Sequence, residues 1–222
     1  MKVLMKSAVV IAAAIAVIVG AAALNLRSRN GADEGDRALA SAPSGSALLA
    51  PAAPAGSLDA TVVALQGRLR AIPEDWRAYA SLGLAYVAEA RVTADPSWYP
   101  KAEGALRESL RLHREDNVEA VLGLGALALA RHDFEVALEH GLRARELDPF
   151  DADVYGVIGD AQLELGRYGE AIETFQTMVD TRPDVASYAR ASYARELLGD
   201  VSGAIDAMRR AFEASGTPSD AA

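Results

Sequence analysis

The sequence predicts an all-α fold in which helix pairs stack into a solenoid, behind an apolar N-terminal segment and a disordered linker. Three observations predict it. The alanines Ala102, Ala137, Ala171 and Ala204 recur at spacings of 35, 34 and 33 residues, and a fixed period of this size marks a stacked-repeat architecture. Within a period the apolar residues fall three and four apart, as on one face of a helix. Turn residues and prolines then separate the helical segments at regular places.

The first element is the N-terminal stretch "MKVLMKSAVVIAAAIAVIVGAAALNLRSRN". Lys2 and Lys6 precede an apolar core, Ala8 to Leu24, of 17 residues. That length lies between a cleavable signal and a spanning helix. Ala21, Ala22 and Ala23 offer a small-residue cleavage site, whereas Arg27 and Arg29 look like the flank of a retained anchor. Residues 1–24 are therefore read as a signal or a transmembrane anchor. Both readings send the rest of the chain out of the cytoplasm, because the positive end stays inside.

Residues 25–57 are rich in Ala, Ser, Gly and Pro and carry no aromatic residue. Such a segment buries too little apolar area to offset its ordering entropy and reads as a disordered tether. Its root-mean-square reach is roughly 30 Å.

Residues 58–222 are read as the folded domain. It opens with "SLDATVVALQGRLRAIP", where Leu58, Val62, Leu65, Leu69 and Ile72 form one stripe. This is a capping helix over 58–73 that covers the first pair. Four repeats follow, at about 76–115, 118–149, 152–183 and 185–216. In the third, Tyr155, Ile158, Leu163 and Leu165 mark the first helix. Ala171, Ile172, Phe175, Met178 and Val179 mark the second. Gly166 divides the two, where a chain leaves a helix in a left-handed conformation. His132 takes that place in the second unit, a role histidine can fill. Asp151 and Asp184 stand where N-caps favour a short acid.

The skeleton resembles the tetratricopeptide repeat over residues 76 to about 214. The third unit carries Tyr155, Ile158-Gly159, Gly166, Tyr168, Ala171, Phe175 and Pro183. The second carries Leu124-Gly125, Phe134, Ala137, Ala144 and Pro149. The first carries Tyr79, Leu82-Gly83, Tyr86, Tyr99 and Ala102, and the looser fourth has Tyr188, Ala191-Ser192, Gly199, Ala204 and Phe212. The resemblance implies a right-handed superhelix, with small residues where paired helices approach and large ones between pairs. The first unit departs from it. About seven extra residues lie around "ARVTADPSWYP", read as a loop that exposes Trp98 and Tyr99. Tyr99 is expected in the core, and Trp98 either packs against the loop or serves binding.

Composition and motifs bear on function by exclusion. The chain has 222 residues, a net charge of −9 and no cysteine. Disulfides, thiolate metal sites and a cysteine nucleophile are thereby excluded. Residues 58–222 hold 17 basic and 28 acidic side chains, whereas a nucleic-acid binder shows a basic face. "GLGALA" at 123–128 mimics a dinucleotide fingerprint, but it lies inside a helical segment and Gly125 already serves the repeat. His113, His132 and His140 do not cluster with carboxylates as a metal site would require. No nucleophile–base pattern stands out, and neither catalysis nor a cofactor or metal is expected.

What remains is protein binding. The resemblance implies that first helices line a concave groove. In the repeat register that face holds Arg77, Leu84, Glu119, Leu122, Ala126, Asp153, Gly156, Asp160, Glu164, Ala189, Tyr193 and Glu196. The family's carboxylate clamp of Lys, Arg and Asn is missing there. Five acids against one base suggest a partner segment with basic residues, and Ala126, Gly156 and Ala189 leave room for its backbone. Exchange of Asp153, Asp160 and Glu164 for amides is expected to weaken binding without unfolding. The function expected is a non-catalytic interaction scaffold at the extracytoplasmic face of a bacterial membrane. The alternatives are an assembly factor resembling the repeat subunits of cytochrome c maturation, or a regulatory subunit of an envelope enzyme or transporter. In the last segment, "SGAIDAMRRAFEAS", Ile205, Met208, Ala211 and Phe212 remain apolar where a polar cap is usual. This predicts either a longer repeat protein or self-association through the last pair.

Overall fold

The computed structural model describes residues 55–216, and the side chains of 58–216. The signal-or-anchor segment, nearly all of the linker and the tail from 217 lie outside the described residues. Those described form nine helices and no strand: α1 (Ala55–Ala71), α2 (Trp76–Thr93), α3 (Trp98–Leu112), α4 (Val118–Ala130), α5 (Phe134–Leu147), α6 (Ala152–Glu164), α7 (Tyr168–Thr181), α8 (Val185–Leu197) and α9 (Val201–Ala214).

Helix α1 begins at Ala55, inside the stretch read as linker. Leu58, Val62, Leu65 and Leu69 are buried against α2, while Ile72 falls beyond the helix and is half exposed. Each buried side chain of this kind contributes roughly 1.5–3 kcal/mol. Thereafter the chain runs in pairs, α2 with α3, α4 with α5, α6 with α7 and α8 with α9, each pair packed on the next. The period-setting alanines explain the closeness of the pairs: Ala102, Ala137 and Ala171 have no exposed surface, and Ala204 is also buried.

Side-chain caps start all four first helices. Asp75, Asn117, Asp151 and Asp184 each accept a backbone N–H of the first turn, and Asp184 with Ser187 forms a full capping box. This satisfies donors that a helix start otherwise leaves unpaired. Between the helices of a pair, His132 (φ 63°), Gly166 (φ 75°) and Gly199 (φ 81°) take the left-handed conformation expected at those turns.

The first unit differs from its sequence reading. The residues taken for a loop do not all leave the helix: α2 has 18 residues, against 13 in α4, α6 and α8. Ala88, Glu89, Ala90 and Arg91 are good helix formers and carry it onward. It stops where Ala94 turns left-handed (φ 53°). Trp98 is half-buried and stacks on Tyr86 at 5.4 Å, under the Lys101 ammonium at 3.8 Å. Tyr99 is half-buried and its hydroxyl donates to the Ala130 carbonyl at 3.0 Å. Both aromatics thus serve packing.

Glu89 carries a cost. It is 3% exposed, and its Oε1 has no hydrogen-bond partner. Burial, and then the charge of Asp59, raise its carboxyl above the ordinary 4.5. The unfolded chain releases this proton near 4.5, whereas the folded chain holds it to higher pH. The folded state thus binds more protons above that point, and stability falls as pH rises through this range. Glu89→Gln is expected to raise the thermal midpoint at pH 7.5 and change it little at pH 3.5. Circular-dichroism melts across that range check this; a larger gain at the acid end would contradict it.

Candidate protein-binding groove

Consecutive first helices touch one another directly, α2 with α4, α4 with α6 and α6 with α8. Consecutive second helices make no comparable contact among the described residues. The first helices therefore stand on the inner side of the curve, and their outward stripes form its lining. The reason is local. Gly83 and Gly123 both abut Leu106, where an added Cβ would clash with the leucine side chain. Gly125 abuts Val157, and Gly159 abuts the Phe175 ring. The glycine positions of the repeat let the helices close up.

The twelve candidate residues divide into three sets. Leu84, Leu122, Ala126, Asp153 and Gly156 are buried within the stack. Glu119, Asp160, Ala189 and Glu196 are half-buried. Arg77, Glu164 and Tyr193 are exposed, with the Arg77 guanidinium 4.2 Å over the Trp76 ring. A partner could reach the second and third sets only.

The charge balance of this face also differs from the sequence reading. Asp153 is 6% exposed and ion-paired with Arg182, which also donates from Nε to Asp184 at 2.7 Å. Burial opposes the charge on Arg182, but Asp153 and Asp184 outweigh it and raise its pKa. Asp160 accepts from Arg190 through both oxygens, from Nε at 3.0 and 3.1 Å and from Nη2 at 3.0 Å. Burial likewise opposes the charge on Arg190, and Asp160 overcomes it. The excess of five acids over one base does not describe the folded face, because Arg182 at the end of α7 and Arg190 of the following repeat neutralise two of them. Nor is the space at Gly156 left for a partner backbone: the Arg190 guanidinium lies 3.6 Å from where its Cβ would be. Amides at Asp153 and Asp160 would remove internal ion pairs, so the triple exchange would test stability as much as binding.

The histidines are dispersed. His113 stacks on Trp76 at 4.3 Å, and His132 meets Phe134 edge-on at 5.5 Å. His140 is half-buried, and burial lowers its pKa. Among the described residues no three His, Asp or Glu side chains converge as metal ligands would.

Sequence reasoning missed Arg182 and Arg190. The pairs they enter lie about one repeat apart, Asp153 with Arg182 and Asp160 with Arg190. An acid on one first helix followed by an arginine about 30 residues later was the available signal.

Family models described as tetratricopeptide repeat match residues 128–195 and 98–152. Residues 98–195 together match the tetratricopeptide repeat. Solved structures similar to it include MamA 41-end from Desulfovibrio magneticus RS-1. That likeness has a TM-score of 0.54 at 20% identity, over 74% of this chain and 89% of that one. A second MamA crystal structure gives 0.52 at 23% identity, over 71% and 88%. MamA from AMB-1 gives 0.51 at 25% identity, over 72% and 90%. These likenesses show the solenoid fold. No curated protein matches the chain. The matched repeats support protein interaction as a general role. Among the described residues no helix is long and apolar enough to cross a membrane.

Proposed function

We propose that the protein is a non-catalytic scaffold that holds a segment of another protein along the first-helix face. The observation that carries this reading is the strip formed by Arg77, Glu119, Asp160, Glu164, Ala189, Tyr193 and Glu196. It runs over successive repeats and stays at least partly open to solvent. Its composition is mixed, with an exposed aromatic, Tyr193, an exposed acid, Glu164, and an exposed arginine, Arg77. The sequence reading of a partner with basic residues retains Glu164 as its docking point.

The scaffold is placed at the extracytoplasmic face of a bacterial membrane, held there by residues 1–24 through the linker. Support for this is the N-terminal sequence alone, with its lysines ahead of an apolar run. Affinity capture from bacterial membranes with the whole chain as bait tests the role. Haem-ligation proteins as partners would favour an assembly factor. A hydrolase or transporter would favour a regulatory subunit. Capture that persists when Tyr193 and Glu164 are both replaced by Ala would move the contact off this face.

The last helix supports a second contact, between copies of the chain. On α9, Ala211 is buried and Met208 half-buried, but Ile205 and Phe212 are each more than half exposed. Leu197, Leu198 and Val201 beside them are also exposed. A second copy meeting this end would cover an apolar face. Ile205→Ser with Phe212→Ser is expected to convert a dimer to a monomer in sedimentation velocity. A wild-type chain that is already monomeric at micromolar concentration would refute the contact.

A further inference from the structure

The two ends of the stack carry unlike faces. On α9, Val201, Ile205, Met208 and Phe212 are four, three and four residues apart and so form one stripe. Val201, Ile205 and Phe212 are each more than half exposed. The same places can be followed in α7, which begins at Tyr168, 33 residues before Val201. There Ile172, Phe175 and Val179 stand where α9 has Ile205, Met208 and Phe212. Those three share a core with Ala191 and Ala194 of α8, the first helix of the next pair. The α9 stripe is therefore built as the seat of a following helix, and the residues that fill such a seat are small. At the other end, Leu58, Val62, Leu65 and Leu69 turn one side of α1 towards α2. The opposite side of α1 holds Ala60, Ala64, Gly67 and Ala71, again four, three and four residues apart. Its three alanines are exposed.

We propose that α1 of a second copy sits on the α9 stripe, so that copies join head to tail. This inference rests on the contact between copies argued above and gives that contact its second face. Facing layers interdigitate when large side chains meet small ones, as they do between α7 and α8. A two-fold contact through α9 would instead set Ile205 and Phe212 against the same large residues of the other copy. Arg68 and Arg209, beside the two stripes, are each paired within their own copy, with Asp75 and Asp206. They do not oppose the contact. A head-to-tail contact is heterologous: a pair of copies keeps one free α9 and one free α1, and further copies add at either end.

The chain has no cysteine, so single cysteines report the contact without background. Full-length Ala64→Cys and Met208→Cys chains are mixed in detergent and treated with a short bismaleimide. A cross-linked pair is expected in the mixture and in neither variant alone. Cross-linking of Met208→Cys with itself, and not with Ala64→Cys, would assign the two-fold contact and overturn this one. Complementation gives a second reading. Ala64→Arg alone, and Ile205→Ser with Phe212→Ser alone, are each expected to be monomeric in sedimentation velocity, because each lacks one half of the contact. Their mixture is expected to form a one-to-one pair that grows no further. Ala64, Ile205 and Phe212 are exposed, so thermal midpoints are expected to stay unchanged. An Ala64→Arg chain that associates like the wild type overturns the head-to-tail arrangement and leaves the contact between copies standing. A monomeric wild type defeats both.

Discussion

Phe175→Ala lowers the unfolding free energy by about 4 kcal/mol, the middle of the range for a buried phenylalanine. The ring is 1% exposed and is seated against Gly159, joining α7 to α6. It shares its core with Leu163, Ala171, Ala191, Ala194 and Ala207, which reach α8 and α9. In a stacked array each unit is held by its neighbours, so the loss falls on one junction. The α8–α9 pair is expected to open first, giving two unfolding transitions where the wild type gives one. Urea unfolding followed by circular dichroism measures the total, and amide hydrogen exchange locates it. The partner change is Gly159→Ala, which drives a methyl into the ring and costs about 2 kcal/mol. Phe175→Leu with Gly159→Ala should cost less than the two changes summed, because a smaller side chain vacates the space the methyl needs. Strict additivity would show that the ring and the glycine are not in contact.

Asn117→Leu costs about 3 kcal/mol, from one cap and two buried hydrogen bonds at about 1 kcal/mol each. Asn117 has no exposed surface. Its Oδ1 accepts from the Ala120 N–H at 3.2 Å, and its Nδ2 donates to Ser109 Oγ and the His113 carbonyl, both at 2.9 Å. Ser109 in turn donates to the Trp76 carbonyl at 2.7 Å. One amide therefore ties the start of α4 to the end of α3, and through Ser109 to the start of α2. Leucine matches the volume but leaves Ala120 N–H and the His113 carbonyl without their partner. A loss below 1 kcal/mol by urea unfolding would mean that water or a local shift replaces these bonds.

The helix pairs were legible because repetition multiplies a weak signal. One small residue beside an aromatic says little, but Ala102, Ala137, Ala171 and Ala204 at a common period say where every second helix packs. Even His132 could be read, since the glycines of the other units mark its left-handed place. The length of α2 was misjudged because Pro96 and Pro100 drew attention from the helix-forming residues just before them. The inner face was read least well. A register assigns residues to a face, but it does not show which are sealed by the next repeat. Leu84, Leu122 and Gly156 were assigned to the inner face by register, yet they are buried within the stack. Asp153 and Asp160 looked free because their partners come from sequence about 30 positions later.

The overhang of α2 has a consequence for how a bound chain is placed. A perfectly periodic track offers an extended ligand several equivalent resting places, each one period from the next. Binding is then spread over a set of shifted alignments, and no atom of the ligand has a unique address. The additional residues of α2 break that translational degeneracy at one end. If the proposed groove holds an extended chain, that chain would meet a landmark that occurs once, and its direction and starting point would become defined. Removal of the overhang, by shortening the helix to the length of its counterparts, would turn a ruler with a zero mark into one without.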